Sequence, residues 1–285
     1  MSRATRPFPT PLNAALLTMM GAFFTAGIAV MVSDWATPTA AVGIGTVLGL
    51  GGAGLLGAAN IPVPHAERVG LRGLRRKQLL PLLLLLPIAL LASEVDNGIG
   101  LLFPAPDAQQ VVQETIDKLP TDASLSVLET AIVAVGLVPV VEEWFFRGVV
   151  QQGLVASMGA VGGVFVTALF FALCHGAGLS PQAWGALVAQ TLVLGVTFGY
   201  ARHRTGSLFA PILLHIGVNG MAVAAMAAPL VIAVPGYNAP GVHTPLSVLL
   251  PAIASVAVGA WLLSKEIVPA IPVVHVVDER DSYED

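Results

Sequence analysis

Three pairs of side chains stand out because each lies in a segment that is otherwise apolar. The members of each pair are four residues apart, which places them on the same face of a helix. The pairs are Glu143 with Arg147, Phe171 with His175, and His215 with Asn219. A carboxylate and a histidine within reach of one water molecule form a general-base pair. A second histidine with an amide side chain can donate hydrogen bonds to a developing oxyanion. Together these groups suffice to hydrolyse an amide bond.

The same side chains also suit a metal ion. Glu142, His175 and His215 would give zinc a His2Glu ligand set with an open position, which Glu143 or water could complete. The usual zinc-protease signature, an HExxH pair on one helix, is absent from the sequence. Spacing alone therefore leaves both a metal-free and a zinc-dependent chemistry open.

The adjacent carboxylates are expected to do different jobs. A charge in the middle of a membrane costs at least about 2.5 kcal/mol on the mildest scale, and residues 138–150 hold three charges in an apolar run. Arg147 can neutralise Glu143 one helical turn away, whereas Glu142 points about 100° from Glu143 and has no local cation. We therefore predict that Glu143 and Arg147 brace the site and that Glu142 is functional.

Each cluster also has a purely structural interpretation. Glu143 and Arg147 could be an ion pair that joins helices, and His175 could lie near water at the end of a span. His215 and Asn219 could form hydrogen bonds between helices. The presence of all three clusters in one chain favours a shared catalytic site.

The elements that carry these residues are predicted to be transmembrane helices. Of the 285 residues, 55% are hydrophobic and 11% are charged, whereas soluble domains carry about 25% charged residues. A span needs about 20 mostly apolar residues, and the sequence has about eight such segments. They are 13–32, 39–59, 79–102, 125–156, 161–175, 181–201, 207–230 and 246–263. We expect an all-α membrane protein, a polytopic bundle of about eight helices in a lipid bilayer, with no nucleic-acid partner.

The basic residues predict the orientation of the bundle. If the spans alternate, eleven basic residues fall on one side and Lys118 alone on the other. The eleven are Arg3, Arg6, Arg68, Arg72, Arg75, Arg76, Lys77, Arg202, Arg204, Lys265 and Arg280. By the positive-inside rule, both termini are cytoplasmic and the 104–124 loop is extracytoplasmic. The predicted organisation is a cytoplasmic segment 1–12, one transmembrane domain 13–264 and an acidic cytoplasmic tail 265–285.

Chain length predicts where the polar groups meet. The turn between the fourth and fifth spans centres near Met158, with Glu142 sixteen residues before it and His175 seventeen after it. Both then lie about 24 Å from that cytoplasmic turn, in the extracytoplasmic half of the bilayer. His215 lies about 15 Å from the turn near Thr205, and a bent or tilted span would close the remaining gap.

The ordered motifs resemble those of the CAAX prenyl endopeptidase type II and bacteriocin-processing family, also called CPBP or ABI. The run from Glu142 to Gly148 resembles the family's EExxFRG motif, and the other two pairs follow in the family's order. Arg204-Thr205-Gly206-Ser207-Leu208, with Pro211 and His215 after it, resembles the family's RTGSL…P…H segment. The resemblance covers about residues 125–225, and every motif position agrees.

The resemblance implies an intramembrane endopeptidase of the cell inner membrane. Residue by residue, Glu142 and His175 would activate water, and His215 and Asn219 would stabilise the oxyanion. Glu143 and Arg147 would hold the site together. A metal-free mechanism is slightly favoured because asparagine is a poor zinc ligand; if zinc is bound, Glu142, His175 and His215 would hold it.

Bacterial members are linked to peptide maturation, bacteriocin immunity and protein sorting. The expected extracytoplasmic depth favours a peptide or membrane-anchored exported protein as substrate, processed near its C-terminus. Two alternatives remain open: a non-catalytic membrane scaffold or bacteriocin-immunity protein, and a proton-coupled carrier.

Overall fold

The described part of the chain is helical. The computed structural model describes residues 7–103, 123–176, 179–227, 234–237 and 242–266. Within these ranges it contains helices and no β-strand, which confirms the predicted all-α fold class. The helices are α1 (Pro11–Val32), α2 (Pro38–Ala58), α3 (His65–Val69), α4 (Arg76–Leu102), α5 (123–158), α6 (160–173), α7 (Pro181–Thr205), α8 (Phe209–Ala227) and α9 (Leu246–Ser264).

Six helical stretches of the described residues are long and apolar enough to cross a membrane, as expected for a multi-pass membrane protein. They are Pro11–Val32, Pro38–Ala58, Arg76–Leu102, Val127–Leu173, Pro181–Thr205 and Leu246–Ser264. The stretch Val127–Leu173 spans both α5 and α6, and the described apolar part of α8, Phe209–Ala225, is shorter. The count of eight spans, the single transmembrane domain and the orientation of the termini stay predictions. Residues 1–6, most of the 104–124 loop and most of the acidic tail lie outside the described residues.

Helices α5 and α6 form a tight antiparallel hairpin. The chain reverses at Gly159, whose φ of 78° and ψ of 171° are not helical. At Gly163 the two helices touch so closely that a Cβ atom would lie 2.4 Å from the backbone nitrogen of Val155. Farther from the turn, the rings of Phe146 and Phe171 pack edge to face with centroids 5.3 Å apart. This register agrees with the hairpin predicted from the sequence.

Helix α5 is not a regular α-helix along its whole length. Its segments Ala131–Leu137 and Trp144–Val150 are π-helical, and Val138–Glu143 between them is α-helical. A π-helical segment bonds each amide to the carbonyl five residues back, so it rotates the side chains that follow it. The two glutamates thus lie between two local changes in helical pitch.

Several basic residues gather at one end of the bundle, here called the basic end. They are Arg68, Arg72, Arg75, Lys77, Arg202 and Arg204. The Arg202 guanidinium donates to the carbonyl oxygen of Arg68 at 2.9 Å. Arg204 donates through Nε to the carbonyl oxygen of Leu263 at 3.1 Å, near the end of α9. The described basic loop residues therefore share one end, which is the arrangement that the positive-inside rule requires.

Residues 234–237, here called the closing segment, lie against α4 at the opposite end. Ser93 and Asn97, in the last part of α4, both donate to the carbonyl oxygen of Gly236, at 2.8 and 2.6 Å. The Glu94 carboxylate accepts a hydrogen bond from the backbone amide of Thr244 at 2.9 Å. These contacts hold the connection before α9 against α4.

Candidate active site

Four of the six predicted site residues line a single cavity inside the bundle, here called the polar cavity. Its volume is about 590 Å³, and Glu142, His175, His215 and Asn219 all contribute to its lining. Helices α5 and α8 and the residues just after α6 supply these groups. Most of the remaining lining is apolar, so the cavity combines a hydrophobic wall with a small convergent set of polar groups. That combination is usual for a ligand-binding site.

The other two predicted site residues lie behind the cavity wall. The side chains of Glu143 and Arg147 are both 0% exposed and form an ion pair with a distance of 2.8 Å between Arg147 Nη1 and Glu143 Oε1. The Glu142 side chain is 15% exposed and lines the cavity. The two neighbouring carboxylates therefore point to different places, as their angular separation on a helix predicts.

His215 connects the two carboxylates. Its Nδ1 lies 2.8 Å from Glu143 Oε1, and its Nε2 lies 3.8 Å from Glu142 Oε2. Because a carboxylate accepts the hydrogen bond, Nδ1 carries a proton and Nε2 faces Glu142. The sequence predicted a brace formed by Glu143 and Arg147 alone. The structure adds His215 to that brace, because only the packing of α8 against α5 brings them together.

His175 is oriented by a backbone carbonyl. Helix α6 ends at Leu173, so His175 lies just past the helix rather than inside it. Its Nδ1 lies 2.7 Å from the carbonyl oxygen of Phe171. A carbonyl can only accept, so Nδ1 carries the proton, and in the neutral imidazole Nε2 is left with a lone pair. His175 is thus held in the tautomer that a general base needs.

Asn219 has a structural partner that the sequence pattern did not reveal. The amide of Val138 bonds to the carbonyl of Val133, five residues back. The next amide in that series would belong to Pro139, which has no N–H. The carbonyl of Ala134 therefore lacks its helical donor, and Asn219 Nδ2 supplies one at 2.8 Å. This bond fixes the amide group at the cavity wall and leaves its second N–H available.

Arg147 is enclosed by aromatic rings and a carbonyl. Its Nη2 donates to the backbone oxygen of Gly195 on α7 at 3.0 Å. Its guanidinium carbon lies 4.5 Å from the ring centroid of Phe171 and 5.5 Å from that of Phe198. The Phe198 ring also stacks on His215, with centroids 4.9 Å apart. Arg147 thus holds α5 and α7 together directly behind the cavity.

The described residues do not gather into a recognisable metal centre. Within the ranges that the structure describes, no three His, Cys, Asp or Glu side chains are grouped so that they could hold a metal ion. Glu142, His175 and His215 line one cavity without forming such a group. The zinc ligand set named in the sequence analysis stays a prediction, and no step is derived through a metal.

Some lining residues were not predicted. Gln190 and Thr191 from α7 and Tyr237 from the closing segment also face the polar cavity. Nothing in their spacing distinguishes them from other polar residues of apolar helices. Only the antiparallel packing of α7 against α6 and the position of the 234–237 segment identify them.

A comparison with protein-family models identifies the segment that carries this site. Residues 124–221 match the family described as Rce1-like, type II CAAX prenyl endopeptidase. This match confirms the family resemblance of the motifs. It covers about a third of the chain and includes all six predicted site residues. No curated protein and no solved structure matches the chain.

The match supports a protease of the CAAX type embedded in a membrane by several apolar helices. The residues before position 124, including α1 to α4, and those after position 221 lie outside the matched segment. Helices α2 and α4, before the matched segment, and residues 234–237, after it, still reach the site. Ala89 of α4 and Val42 of α2 both line the polar cavity.

Proposed function

We propose that this protein is an intramembrane endopeptidase that hydrolyses a peptide bond near the extracytoplasmic interface of the cell inner membrane. One observation carries the proposal: Glu142, His175, His215 and Asn219 converge on one cavity while Glu143 and Arg147 neutralise each other behind it. Glu142 is thereby left as a carboxylate without an arginine partner among the described residues. A carboxylate beside an oriented histidine is suited to activating water.

Glu142 and His175 would activate the attacking water. Nε2 of His175 accepts a hydrogen bond from the water, and the Glu142 carboxylate takes the proton as the water oxygen bonds to the substrate carbonyl carbon. His215 Nε2–H and the second N–H of Asn219 donate to the resulting oxyanion. The carbon–nitrogen bond then breaks, and the proton passes from Glu142 to the leaving amine. The products are a carboxylic acid and an amine.

The proposed role of His215 requires an N–H on both of its ring nitrogens. Glu142 and Glu143 bring two negative charges into a largely buried cluster, and Arg147 brings one positive charge. Buried charges are stabilised when they are compensated, and an imidazolium at His215 would make the cluster neutral. Only the protonated ring has an N–H at Nε2 to donate to the oxyanion.

The position of the cavity supports a site in the extracytoplasmic half. Pro38, the first residue of α2, and Tyr237 of the closing segment both line it. The positive-inside rule assigns the basic end to the cytoplasm. Both residues lie at the opposite end. A peptide or membrane-anchored exported protein, processed near its C-terminus for maturation or sorting, is the substrate class that fits this side.

The proposal is tested first in cells and then with purified protein. C-terminal proteomics of exported proteins compares cells that carry wild type with cells that carry Glu142→Gln. A C-terminus that is found with wild type and is missing with Glu142→Gln marks a cleavage site. A peptide that spans this site is then assayed with reconstituted protein. We expect Glu142→Gln and His175→Ala to lower cleavage by about 10²-fold or more. Elemental analysis of the same preparation measures its zinc content.

The matched control is Glu129→Gln. Glu129 is also a carboxylate of α5, but it accepts a hydrogen bond from the Thr37 hydroxyl and is not part of the cavity lining. We expect this variant to cleave like wild type. Full cleavage by Glu142→Gln would disprove the mechanism. If Glu142→Gln changes neither the cellular phenotype nor any C-terminus of an exported protein, the result would indicate a non-catalytic scaffold or immunity protein. Uptake driven by a pH gradient would indicate a carrier.

A further inference from the structure

A second pocket lies at the basic end, separate from the polar cavity. Its volume is about 210 Å³, and none of the described residues lines both cavities. Its lining includes Arg68, Arg72, Arg202 and His203, and Gln151 and Arg147 also contribute. We call it the basic pocket. Of its lining residues, the proposed active site uses Arg147 alone, as the partner of Glu143.

The feature that needs an explanation is Arg202. This residue is only 8% exposed, and within the described residues no carboxylate forms an ion pair with it. One terminal nitrogen donates to the carbonyl oxygen of Arg68, while Nε is buried and has no hydrogen-bond partner among the residues that the structure describes. A buried guanidinium without a counter-charge is costly, because burial removes the solvation of the charged form.

The surroundings of Arg202 increase this cost. Arg68 and Arg72 line the same pocket, against one carboxylate, Glu67. Arg147 also lines it, but its charge is already balanced by Glu143. The pocket therefore carries an excess of positive charge in a partly closed space. Such an arrangement stabilises a bound anion and is destabilising without one.

The backbone is shaped to admit the guanidinium. Gly70, just after α3, has a φ of +86°, and a Cβ atom there would lie 2.4 Å from the guanidinium carbon of Arg202. Any side chain at this position would displace Arg202. Because Gly70 has no side chain, there is room for the Arg202 guanidinium beside the pocket.

The depth of the pocket points to the chemistry of its ligand. Residues of α3, the first turns after the α5 π-segment and the last turn of α7 form its walls. Candidate spans end or begin here, at Ala58, Arg76 and Thr205. Span ends are expected near the headgroups of a bilayer, and basic pockets between transmembrane helices bind anionic headgroups.

We propose that the basic pocket binds a phosphate group with net negative charge, either from an anionic lipid headgroup or from free phosphate. A phosphate oxygen can accept a hydrogen bond from Arg202 Nε while the charges of Arg68 and Arg72 are compensated. Arginine suits this task because its planar fork of donors matches phosphate geometry.

Thermal unfolding of the full-length protein in detergent tests the site. The probes are dihexanoyl phosphatidic acid, dihexanoyl phosphatidylcholine at the same concentration, and inorganic phosphate against chloride at equal ionic strength. We expect a saturable rise in the unfolding temperature with phosphatidic acid and none with phosphatidylcholine. An equal rise with inorganic phosphate identifies free phosphate as sufficient, whereas no rise with it identifies the lipid headgroup as the source.

Variants connect the effect to the pocket. Arg202→Gln should raise the apparent dissociation constant for phosphatidic acid by at least about tenfold, the effect expected from the loss of one charged hydrogen bond. Arg72→Gln should also raise this dissociation constant. Because Arg72→Gln keeps the buried Arg202 guanidinium, it tests the site even if Arg202→Gln does not fold. Arg76→Gln is the matched control, since Arg76 is exposed and does not line the pocket.

Two outcomes would overturn the proposal. One is the absence of any rise with either phosphate probe in the wild type. The other is a loss of response in Arg76→Gln as large as that in Arg72→Gln, which would indicate a non-specific charge effect. Neither measurement depends on cleavage, so this proposal and the proposed function can fail independently.

Discussion

Glu142 and Glu143 show how two identical neighbouring side chains acquire different roles. One carboxylate oxygen of Glu143 accepts hydrogen bonds from both Arg147 and His215, each at 2.8 Å, and its other oxygen is buried with no partner in the described part of the chain. Glu142 approaches His215 at the longer distance of 3.8 Å and faces the cavity. The chemistry that remains available is therefore concentrated on Glu142.

The first prediction concerns the buried ion pair. Arg147→Ala should lower the stability of the fold by about 3–5 kcal/mol, because it leaves the Glu143 charge buried without its cation. The double variant Glu143→Gln with Arg147→Met should be more stable than Arg147→Ala, since it removes both charges. Unfolding of the purified variants measures the difference, and Arg76→Gln serves as the surface control. Wild-type stability for Arg147→Ala would contradict the assigned role of the pair.

At the scale of the element, Pro139 links the irregular shape of α5 to the site. In the π-helical segment before Pro139, an amide bonds to the carbonyl five residues back. Pro139 interrupts that series because it has no N–H. The free carbonyl of Ala134 is then satisfied by Asn219 on another helix. The irregularity of α5 thus positions a side chain of α8 at the cavity.

A double variant can separate the two roles of Asn219. Asn219→Ala should lower stability by about 0.5–1.5 kcal/mol, because it leaves the partly buried carbonyl of Ala134 without a donor. Pro139→Ala restores an N–H in α5, so the combined variant should recover part of that loss. Cleavage should remain low in both, because the proposed oxyanion donor is absent. Unfolding and cleavage assays on the same preparations report the two effects. Recovery of cleavage in the double variant would show that Asn219 has only a structural role.

At the scale of the whole molecule, the basic end ties α9 to the rest of the bundle. Glu266, just after α9, forms ion pairs with Arg75 at 2.9 Å and with Lys77 at 2.7 Å. The hydrogen bond from Lys77, followed by that from Gln78 and the charge of Arg75, lowers the pKa of Glu266 below 4.5 despite the opposing effect of burial. One carboxylate therefore joins the end of α9 to the start of α4.

The lowered pKa predicts a dependence of stability on pH. Because the pKa of Glu266 is lower in the folded than in the unfolded chain, its stabilising contribution is complete above pH 4.5, the ordinary value. This contribution is lost as the pH falls through the folded pKa. Glu266→Gln should therefore be less stable than wild type at pH 7, and the difference should shrink below pH 4.5. Unfolding temperatures between pH 7 and pH 3 measure this effect.

The control for this experiment is Asp34→Asn, an exposed carboxylate that forms no ion pair among the described residues. Its stability difference from wild type should stay small across the range. A difference between wild type and Glu266→Gln that does not change with pH would show that Glu266 acts through packing and not through charge.

Local spacing was enough to predict the parts of the site. The hairpin predicted to turn near Met158 and the pairing of Glu143 with Arg147 depend on contacts within one helix or between adjacent helices. Helical geometry determines such contacts from residue spacing alone. The three ordered motifs were likewise enough to predict the family, and residues 124–221 match the model of that family.

The tertiary structure decided which of these parts meet. The contact of His215 with Glu143 joins residues 72 positions apart, and that of Asn219 with Ala134 joins residues 85 positions apart. The buried guanidinium of Arg202, which depends on the missing side chain of Gly70, follows from contacts of the same kind. Such contacts depend on how helices cross and rotate against one another, and no periodicity within a single helix encodes that packing.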